Sequence, residues 1–298
     1  MTAQTPGFGQ RQYWEDRYTK NPKAYDWLNG PGILDKALDS ALASAQGSAP
    51  RILHIGCGNS ELSFNLRFKV RDPNQVHNVD FSSVVIDWGR EREKSMFDSR
   101  WEDESGGSSS AAAASEPKMP MMKWDEVDLL SLQSVISNCM LGGYSVIIDK
   151  STCDAIACAA TAEISIPYFL YTDRDGAETR IDIADSYTGT VNAVQLLAVH
   201  LALVAAPKAR WIAYSYSSTR FWFLDPDFEQ TAEDEESLFP LHPGLPKPKD
   251  LWVIIERQEI AKPYGTSSAD DAHYLYVLER TSVALKARSL ARTEAEED

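Results

Sequence analysis

The sequence lacks any long hydrophobic run. None of the apolar segments in its 298 residues reaches the roughly 20 residues that a membrane-spanning helix needs. The first residues, Met-Thr-Ala-Gln-Thr-Pro-Gly, carry neither a basic patch nor an apolar core, so no secretory signal is expected. A membrane protein is therefore not expected, and the sequence favours a cytoplasmic location.

Positive charge is also scarce. The chain has 29 Lys and Arg against 44 Asp and Glu, a formal net charge of −15. No Lys/Arg cluster is present that could neutralise a phosphate backbone, so nucleic acid is not expected as a partner. The acidity is compatible with a partner that has a basic surface. It is equally compatible with simple solubility, because part of it lies in residues 233–236 and in the acidic tail, 286–298.

Metal-binding patterns are missing as well. The cysteines have no zinc spacing, and we interpret them as reduced packing residues: Cys57, Cys139, Cys153 and Cys158. The histidines are scattered and are interpreted as core or surface residues: His54, His77, His200, His242 and His273. The sequence therefore predicts no metal site.

The most informative segment that is present runs from Arg51 to Ser63. An apolar run, Ile52 to Ile55, stops at Gly-Cys-Gly (Gly56, Cys57 and Gly58), and a helix start follows. A buried strand, a glycine turn and a helix form a site for a nucleotide-like ligand, because the missing side chains let the backbone approach it. Asp80, at the end of the next apolar segment, suits the two hydroxyls of a ribose.

Two ligands fit this pattern, a dinucleotide and S-adenosylmethionine. The dinucleotide fingerprint needs a third glycine, and Glu61 occupies that position. A carboxylate would repel a pyrophosphate, whereas S-adenosylmethionine carries a sulfonium and an ammonium group. Electrostatics therefore favour S-adenosylmethionine.

The chain reads as alternating strands and helices, which predicts a doubly wound α/β sheet. Three acids follow successive apolar runs: Asp80, Asp128 and Asp149. Parallel strands bring such residues to one edge of the sheet. Asp128 suits an adenine amino group, and Asp149 with Lys150 should lie near the methionine end and the transferred methyl group. Asp149 is the candidate that assists removal of a proton from the acceptor.

Several motifs resemble a known family. They are Ile52-Leu-His-Ile-Gly-Cys-Gly-Asn-Ser-Glu-Leu-Ser63, Val79-Asp-Phe-Ser-Ser-Val-Val85, Ile148-Asp-Lys-Ser-Thr-Cys-Asp-Ala155, Tyr13-Trp-Glu-Asp-Arg-Tyr18 and Tyr25-Asp-Trp-Leu28. Together they are similar to seven-stranded S-adenosylmethionine-dependent methyltransferases, in particular the branch of the elongation factor 1-alpha and citrate synthase lysine methyltransferases. The resemblance covers about residues 11–160.

The resemblance implies a Rossmann-like sheet of seven strands, mostly parallel, with an antiparallel C-terminal hairpin strand. It also implies cofactor roles for the residues at matching positions. These are Trp14, Tyr18 and Trp27 around the cofactor, Gly56 in the turn, Asp80 and Phe81 at the ribose, Asp128 and Leu129 at the adenine, and Lys150 after the fourth strand.

The chain departs from the family pattern at several places. Ser151 replaces a glycine and Cys153 a leucine in the motif after the fourth strand. Residues 163–188 and 225–250 look like insertions on the substrate side, and residues 98–118 are a low-complexity insertion. We expect one methyltransferase domain over residues 1–285, with residues 1–48 as a segment that caps the cofactor.

The favoured function is methyl transfer to a lysine of a protein such as elongation factor 1-alpha. One alternative is a small-molecule O-, N- or S-methyltransferase whose insertions enclose the acceptor. A second alternative, of a different class, is a non-catalytic protein that binds the cofactor and holds a basic partner. Retention of Gly56, Gly58 and Asp80 argues against the last.

Overall fold

A computed structural model describes residues 7–97, 120–159, 161–166, 170–174, 177–178, 187–225, 246–261 and 272–287. The expected insertion at residues 98–118 lies outside these ranges. Most of the second substrate-side insertion (226–245) and the tail from residue 288 also lie outside them.

The described residues form twelve strands and eight α-helices. The strands are β1 (Ile52–Ile55), β2 (Val76–Asp80), β3 (Lys123–Glu126), β4 (Tyr144–Lys150), β5 (Thr161–Ile166), β6 (Leu170–Arg174), β7 (Ala177–Glu178), β8 (Tyr187–Asn192), β9 (Ala205–Ser215), β10 (Trp252–Ile260), β11 (His273–Arg280) and β12 (Ala284–Ala287). The helices are α1 (Arg11–Lys20), α2 (Asp35–Ser44), α3 (Leu62–Lys69), α4 (Ser83–Phe97), α5 (Leu132–Asn138), α6 (Thr152–Ala157), α7 (Ala193–Val204) and α8 (Pro248–Leu251).

Seven strands form the main sheet in the order β10-β11-β9-β4-β1-β2-β3. The pairs β1–β2, β1–β4, β2–β3 and β4–β9 are parallel. Strand β11 runs antiparallel to both β9 and β10, so it alone opposes the common direction of the other six. The expected Rossmann-like sheet with an antiparallel C-terminal hairpin strand is confirmed.

The strand order reverses between β1 and β4. In open α/β sheets a ligand crevice forms at such a point, beyond the carboxyl ends of the two strands. Strand β1 is buried on both faces because its residues alternate between two cores. Leu53 packs in the core that contains α7, and Ile52 packs in the core that contains Leu38 of α2 and Leu62 of α3. The glycine turn after Ile55 therefore emerges at a fixed position above the crevice.

Helix α7 is buried on every side, and all of its residues except Gln195 and His200 are apolar. It packs against β9 of the main sheet and against β5, β8 and β12. The substrate-side insertion at residues 163–188 thus contributes strands to two small sheets, β5-β8 and β12-β6-β7. Strand β12 extends two residues beyond the expected end of the domain at residue 285.

Within the described ranges, no helix combines the length and apolar character that crossing a membrane requires.

Candidate active site

The turn after β1 is shaped by glycine. Gly56 and Gly58 have φ angles of 52° and 53°, in the left-handed region that favours glycine. A Cβ atom on Gly56 would lie 2.3 Å from Oγ1 of Thr152, and this hydroxyl donates a 2.9 Å hydrogen bond to the carbonyl of Ile55. The first turn of α6 therefore packs directly against the glycine turn. This contact holds the carboxyl ends of β1 and β4 together.

Asp80 at the end of β2 holds the other side of this turn. Its Oδ2 accepts a 3.0 Å hydrogen bond from the backbone N–H of Gly58, and its Oδ1 accepts one of 3.0 Å from that of Ser82. The side chain is 4% exposed. Burial raises the pKa of the carboxyl to about 6, although these backbone hydrogen bonds act in the opposite direction. Asp80 is therefore fixed in place with oxygen lone pairs still available to a ligand.

A cavity of about 440 Å³ opens over the carboxyl ends of β1 and β4. All eleven residues that the sequence associates with the cofactor line it: Trp14, Tyr18, Trp27, Gly56, Cys57, Gly58, Asp80, Phe81, Asp128, Leu129 and Lys150. They come from distant parts of the chain, and the fold brings them together. Their cofactor-binding roles stay predictions.

The N-terminal segment forms an aromatic wall of this cavity. The rings of Trp14 and Tyr18 lie 5.8 Å apart, and the rings of Trp14 and Trp27 also lie 5.8 Å apart. The indole N–H of Trp14 donates a 2.7 Å hydrogen bond to the carbonyl of Phe8, which also lines the cavity. Arg17 stacks over Trp27, with its guanidinium carbon 4.8 Å from the ring centroid. The aromatic faces give the cavity a largely apolar wall that attracts cations.

An ion pair joins two motifs that the sequence shows separately. Nζ of Lys150 donates a 2.7 Å hydrogen bond to Oδ1 of Asp26, which also accepts a 2.5 Å hydrogen bond from the hydroxyl of Ser60. Burial lowers the pKa of the Lys150 amine, and the contact with Asp26 opposes this shift. Sequence reasoning missed Asp26. Two features of the sequence could have indicated it: Asp26 lies within the Tyr-Asp-Trp motif, and Lys150 at the end of a buried strand needs a partner of opposite charge.

The adenine candidates occupy the loop after β3. Leu129 is 7% exposed and lines the cavity. Asp128 is exposed, and its Oδ1 accepts a 2.9 Å hydrogen bond from the backbone N–H of Leu130, which fixes the turn. The N–H of Val127 donates to the carbonyl of Asp80, so this loop and the ribose acid are directly connected.

Asp149 does not line the cavity. Its side chain is fully buried, and its Oδ1 accepts hydrogen bonds from the N–H groups of Thr152 (2.9 Å) and Cys153 (3.3 Å). Burial raises the pKa of this carboxyl to about 6. The geometry therefore assigns Asp149 the role of holding the first turn of α6 beneath the cavity. Its catalytic role stays a prediction that this placement does not favour.

Asp154 in α6 does line the cavity, and sequence reasoning missed it. Its Oδ1 accepts hydrogen bonds from Ser215 Oγ (2.5 Å) and Arg220 Nε (2.9 Å), and its Oδ2 accepts one from the N–H of Tyr216 (3.1 Å). Arg220 and Tyr216 also line the cavity. The cluster fixes the loop after β9 at the cavity mouth. No local sequence pattern predicts this cluster, because Asp154 and its partners are about 60 residues apart in the sequence.

Two further expectations concern charges and metals. Glu61 is not a lining residue of the cavity, and it pairs with Arg92. Its charge is therefore compensated, and the argument that it repels a pyrophosphate loses its force. Among the described residues, no group of three or more His, Cys, Asp and Glu side chains is arranged to hold a metal ion.

Comparison with known proteins gives partial matches. No protein-family model matches the chain. Methyltransferase srdJ of Neurospora crassa is 30% identical over 158 residues, which cover 53% of this chain and 58% of srdJ. EEF1A lysine methyltransferase 4 of Bos taurus is 27% identical over 152 residues, covering 50% of this chain and 46% of that protein. The human mitochondrial citrate synthase-lysine N-methyltransferase CSKMT is 29% identical over 134 residues, covering 45% of this chain and 50% of that protein.

Among solved structures, the N-methyltransferase NodS from Bradyrhizobium japonicum WM9 aligns with 91% of this chain and 98% of its own, with a TM-score of 0.48 and 14% identity. The chain spans about half the length of the curated relatives it matches. The matches to the curated sequences confirm the resemblance that the motifs indicate.

Proposed function

We propose that this chain is an S-adenosylmethionine-dependent methyltransferase whose acceptor is a lysine side chain of a protein such as elongation factor 1-alpha. The observation that carries the proposal is the cavity at the β1–β4 crevice, where the glycine turn, Asp80 and the aromatic wall meet. The curated relatives that bear lysine methyltransferase names support the acceptor class. The cytoplasm is the expected compartment.

The lining residues fit this cofactor chemically. The Asp80 carboxylate is placed to accept hydrogen bonds from ribose hydroxyls, and Leu129 offers an apolar contact for a flat base. The aromatic faces of Trp14, Tyr18 and Trp27 suit a sulfonium cation. A side chain at Gly56 would collide with Thr152, so the glycine keeps the backbone at this end of the cavity bare.

S-adenosylmethionine supplies the methyl group, whose bond to sulfur breaks as the lone pair of an acceptor nitrogen forms the new bond. The protein mainly aligns the methyl donor with the acceptor nitrogen, and the aromatic wall of the cavity keeps water away from both. A lysine amine, with an ordinary pKa of about 10.4, must first lose a proton. An apolar environment lowers the pKa of an amine and so helps this step.

The open end of the cavity suits a cationic side chain. Tyr25 and Tyr216 both line it and are 47% and 50% exposed. The Tyr216 ring offers a cation–π contact to an approaching lysine, whereas one face of the Tyr25 ring already holds the guanidinium of Arg17, whose central carbon lies 4.9 Å from the ring centroid. The net charge of −15 favours approach of a basic protein surface over long range.

One structural observation favours the small-molecule alternative. Strand β5 begins at Thr161, two residues after Ala159, which lines the cavity. The strands of the insertion therefore start at the cavity rim, where they are positioned to enclose a small acceptor. The non-catalytic alternative is tested by the same assay.

The test is to incubate the purified protein with methyl-radiolabelled S-adenosylmethionine and a cell extract that has been separated into macromolecular and small-molecule fractions. The site variant is Asp80→Asn, and the matched control is Asp87→Asn, at an aspartate whose side chain is 73% exposed and which pairs with Arg90. Label in one protein band at a lysine, retained in the control and lost in the site variant, supports the proposal.

Label in small molecules alone contradicts the lysine assignment and supports the alternative acceptor. Cofactor binding without label in either fraction contradicts methyl transfer.

A further inference from the structure

The loop after β9 lies across the cavity from the proposed adenine and ribose contacts. In the sheet, β9 and β2 are separated by β4 and β1, and all four strands run parallel. Three strand spacings amount to roughly 14 Å. Asp80 ends β2 and Leu129 follows β3, whereas Tyr216 follows the last residue of β9, and all three line the cavity. A cofactor with its base at Leu129 and its ribose at Asp80 therefore directs its methionine end toward the side of Tyr216.

The ring of Tyr216 is accessible to a ligand in this cavity. The residue is 50% exposed although it lines the cavity. Its ring meets that of His273 edge to face, with the centroids 5.2 Å apart and an angle of 84°, and such a contact occupies at most one of the two ring faces. A large aromatic side chain gains stability from burial, so the exposed ring offers apolar surface that a bound acceptor would cover.

The backbone on both sides of this ring is held by hydrogen bonds. Asp154 in α6 accepts one of 3.1 Å at Oδ2 from the N–H of Tyr216, and one of 2.5 Å at Oδ1 from Oγ of Ser215. The same Oγ of Ser215 accepts a 3.1 Å hydrogen bond from the N–H of Ser217, whose carbonyl accepts one of 2.8 Å from the hydroxyl of Tyr276. Ser215 is fully buried and is not a lining residue of the cavity. Asp154 and Ser215 therefore set the position from which the Tyr216 side chain extends.

Asp154 also compensates a positive charge at this side of the cavity. Nε of Arg220 donates a 2.9 Å hydrogen bond to Oδ1 of Asp154, and Nη2 lies 2.7 Å from the same oxygen. Arg220 lines the cavity as well, so its guanidinium without this partner would repel a cationic acceptor. With the pair formed, an ammonium group can approach the ring of Tyr216.

We propose that Asp154 and Ser215 are positioning residues for the methyl acceptor: they hold the ring of Tyr216 so that its open face packs against the acceptor lysine. This inference rests on the proposed function and adds the residues that align the acceptor. The ring contacts the aliphatic stem of the lysine and, until the amine loses its proton, its ammonium group. Asp154 and Ser215 act on the acceptor only through the loop that carries Tyr216.

The test combines Ser215→Ala, Tyr216→Leu and the double variant. Ser215→Ala removes the hydroxyl that holds the loop and changes no charge. The matched control is Thr281→Val, because Oγ1 of Thr281 likewise donates to an oxygen, the carbonyl of Asp250 (2.7 Å), and accepts from the N–H two residues further on, that of Val283 (3.4 Å). Thr281 is not a lining residue of the cavity. Thermal unfolding, the Kd for S-adenosylmethionine, and kcat and KM with recombinant elongation factor 1-alpha are measured for each.

Tyr216→Leu should lower kcat/KM roughly three- to tenfold, mainly by raising KM, because the contact with the acceptor is lost before the chemical step. Tyr216→Phe keeps the ring and should recover most of this loss. Ser215→Ala should raise KM about threefold while the Kd for the cofactor stays within about twofold. Ser215→Ala and Thr281→Val should both unfold at a lower temperature, but only Ser215→Ala should raise KM. In the Tyr216→Leu background, Ser215→Ala should raise KM by less than about 1.5-fold, because its effect passes through the ring.

The inference is overturned if Tyr216→Leu leaves KM unchanged, or if Ser215→Ala raises KM by the same factor with and without the ring. It is also overturned if the affinity for the cofactor falls as much as KM rises, because the loop would then serve the cofactor. Tyr216 is half-exposed, so Tyr216→Leu tests the ring even if Ser215→Ala does not fold, and Asp154→Asn then takes the place of Ser215→Ala in the cycle.

If the unmodified protein methylates no protein, the proposed function fails. Tyr216 is then judged by calorimetric binding of n-butylammonium with S-adenosylhomocysteine present. Weaker binding in Tyr216→Leu supports the contact, whereas absence of binding to the unmodified protein, or equal affinity in Tyr216→Leu, overturns the inference.

Discussion

The ion pair between Lys150 and Asp26 anchors the N-terminal segment to the end of β4. The two residues are 124 positions apart, and their side chains are 4% and 21% exposed. The pair is a direct charged contact between the N-terminal segment and β4, the central strand of the sheet. We therefore predict that it holds the wall closed, and that its removal is measurable as a loss of stability.

The perturbation is a double-mutant cycle with Asp26→Asn, Lys150→Met and both together. Breaking a buried pair from one side leaves an uncompensated charge, which costs about 3 kcal/mol or more. Asp26→Asn leaves the ammonium of Lys150 in this position, so we expect a loss of about 3 kcal/mol. Lys150→Met leaves the more exposed Asp26, still bonded to Ser60, so we expect about 2 kcal/mol.

The double variant removes both charges together. Its loss should be about 2–3 kcal/mol, clearly below the sum of the single losses, which gives a coupling energy of about 2 kcal/mol. Urea unfolding followed by tryptophan fluorescence measures all three free energies. The matched control is the surface pair Lys94–Glu91, whose side chains are 55% and 71% exposed. Its coupling should stay below about 0.5 kcal/mol.

Additive losses in the Lys150–Asp26 cycle would refute this reasoning, because they would mean that the two charges do not sense each other. A coupling no larger than that of the surface pair would have the same meaning.

Three further predictions concern the cavity. Gly56→Ala should destabilise the protein by about 2 kcal/mol or more in urea unfolding. The added Cβ would lie 2.3 Å from Thr152 Oγ1, and the φ of 52° disfavours any side chain. A loss below about 0.5 kcal/mol would contradict this geometry. Trp27→Leu should raise the Kd for S-adenosylmethionine about fivefold in calorimetry through loss of an aromatic face, and an unchanged Kd would remove Trp27 from the cofactor site. The pKa of the Asp80 carboxyl is about 6, so the carboxylate is lost below that pH. Affinity for the cofactor should therefore fall about tenfold per pH unit below about pH 6. A cofactor Kd that stays constant between about pH 5 and 8 would argue against a ribose contact.

The titration of Asp80 has a second consequence, for stability without ligand. Its pKa in the folded protein lies above the ordinary value of 3.8. Protonation of the Asp80 carboxyl therefore stabilises the folded protein relative to the unfolded chain. This contribution to stability is complete below about pH 4 and is lost as the pH rises through about 6. Cofactor binding and apo stability should respond to this group in opposite directions.

Much of the fold was predictable because its signals are local. The apolar run before Gly56 and the strand end at Asp80 each occupy one continuous stretch of sequence, and each lies where the pattern predicts. The strands in residues 163–188 were not predicted. They form by pairing with distant segments, as in β6 with β12, and such pairing leaves no local periodicity.

The candidate site was likewise predictable only where its residues lie within local motifs. Residues within motifs, such as Trp14 and Lys150, line the cavity as expected. The partners that hold these residues in place, Asp26 for Lys150 and Arg220 for Asp154, are fixed only by tertiary packing. Asp149 shows how little the sequence says about a side chain's direction: a strand-end acid resembles a ligand contact, and here its Oδ1 accepts hydrogen bonds from the backbone of α6.

The central claim is that the cavity holds S-adenosylmethionine through Asp80. Titration calorimetry of S-adenosylmethionine and S-adenosylhomocysteine against the unmodified protein, Asp80→Asn and Asp87→Asn tests it most directly. The account predicts saturable binding at one site, unchanged in Asp87→Asn and weakened about tenfold or more in Asp80→Asn, which should remain folded by thermal unfolding. Absence of binding to the unmodified protein, or equal binding to the folded Asp80→Asn variant, would contradict it.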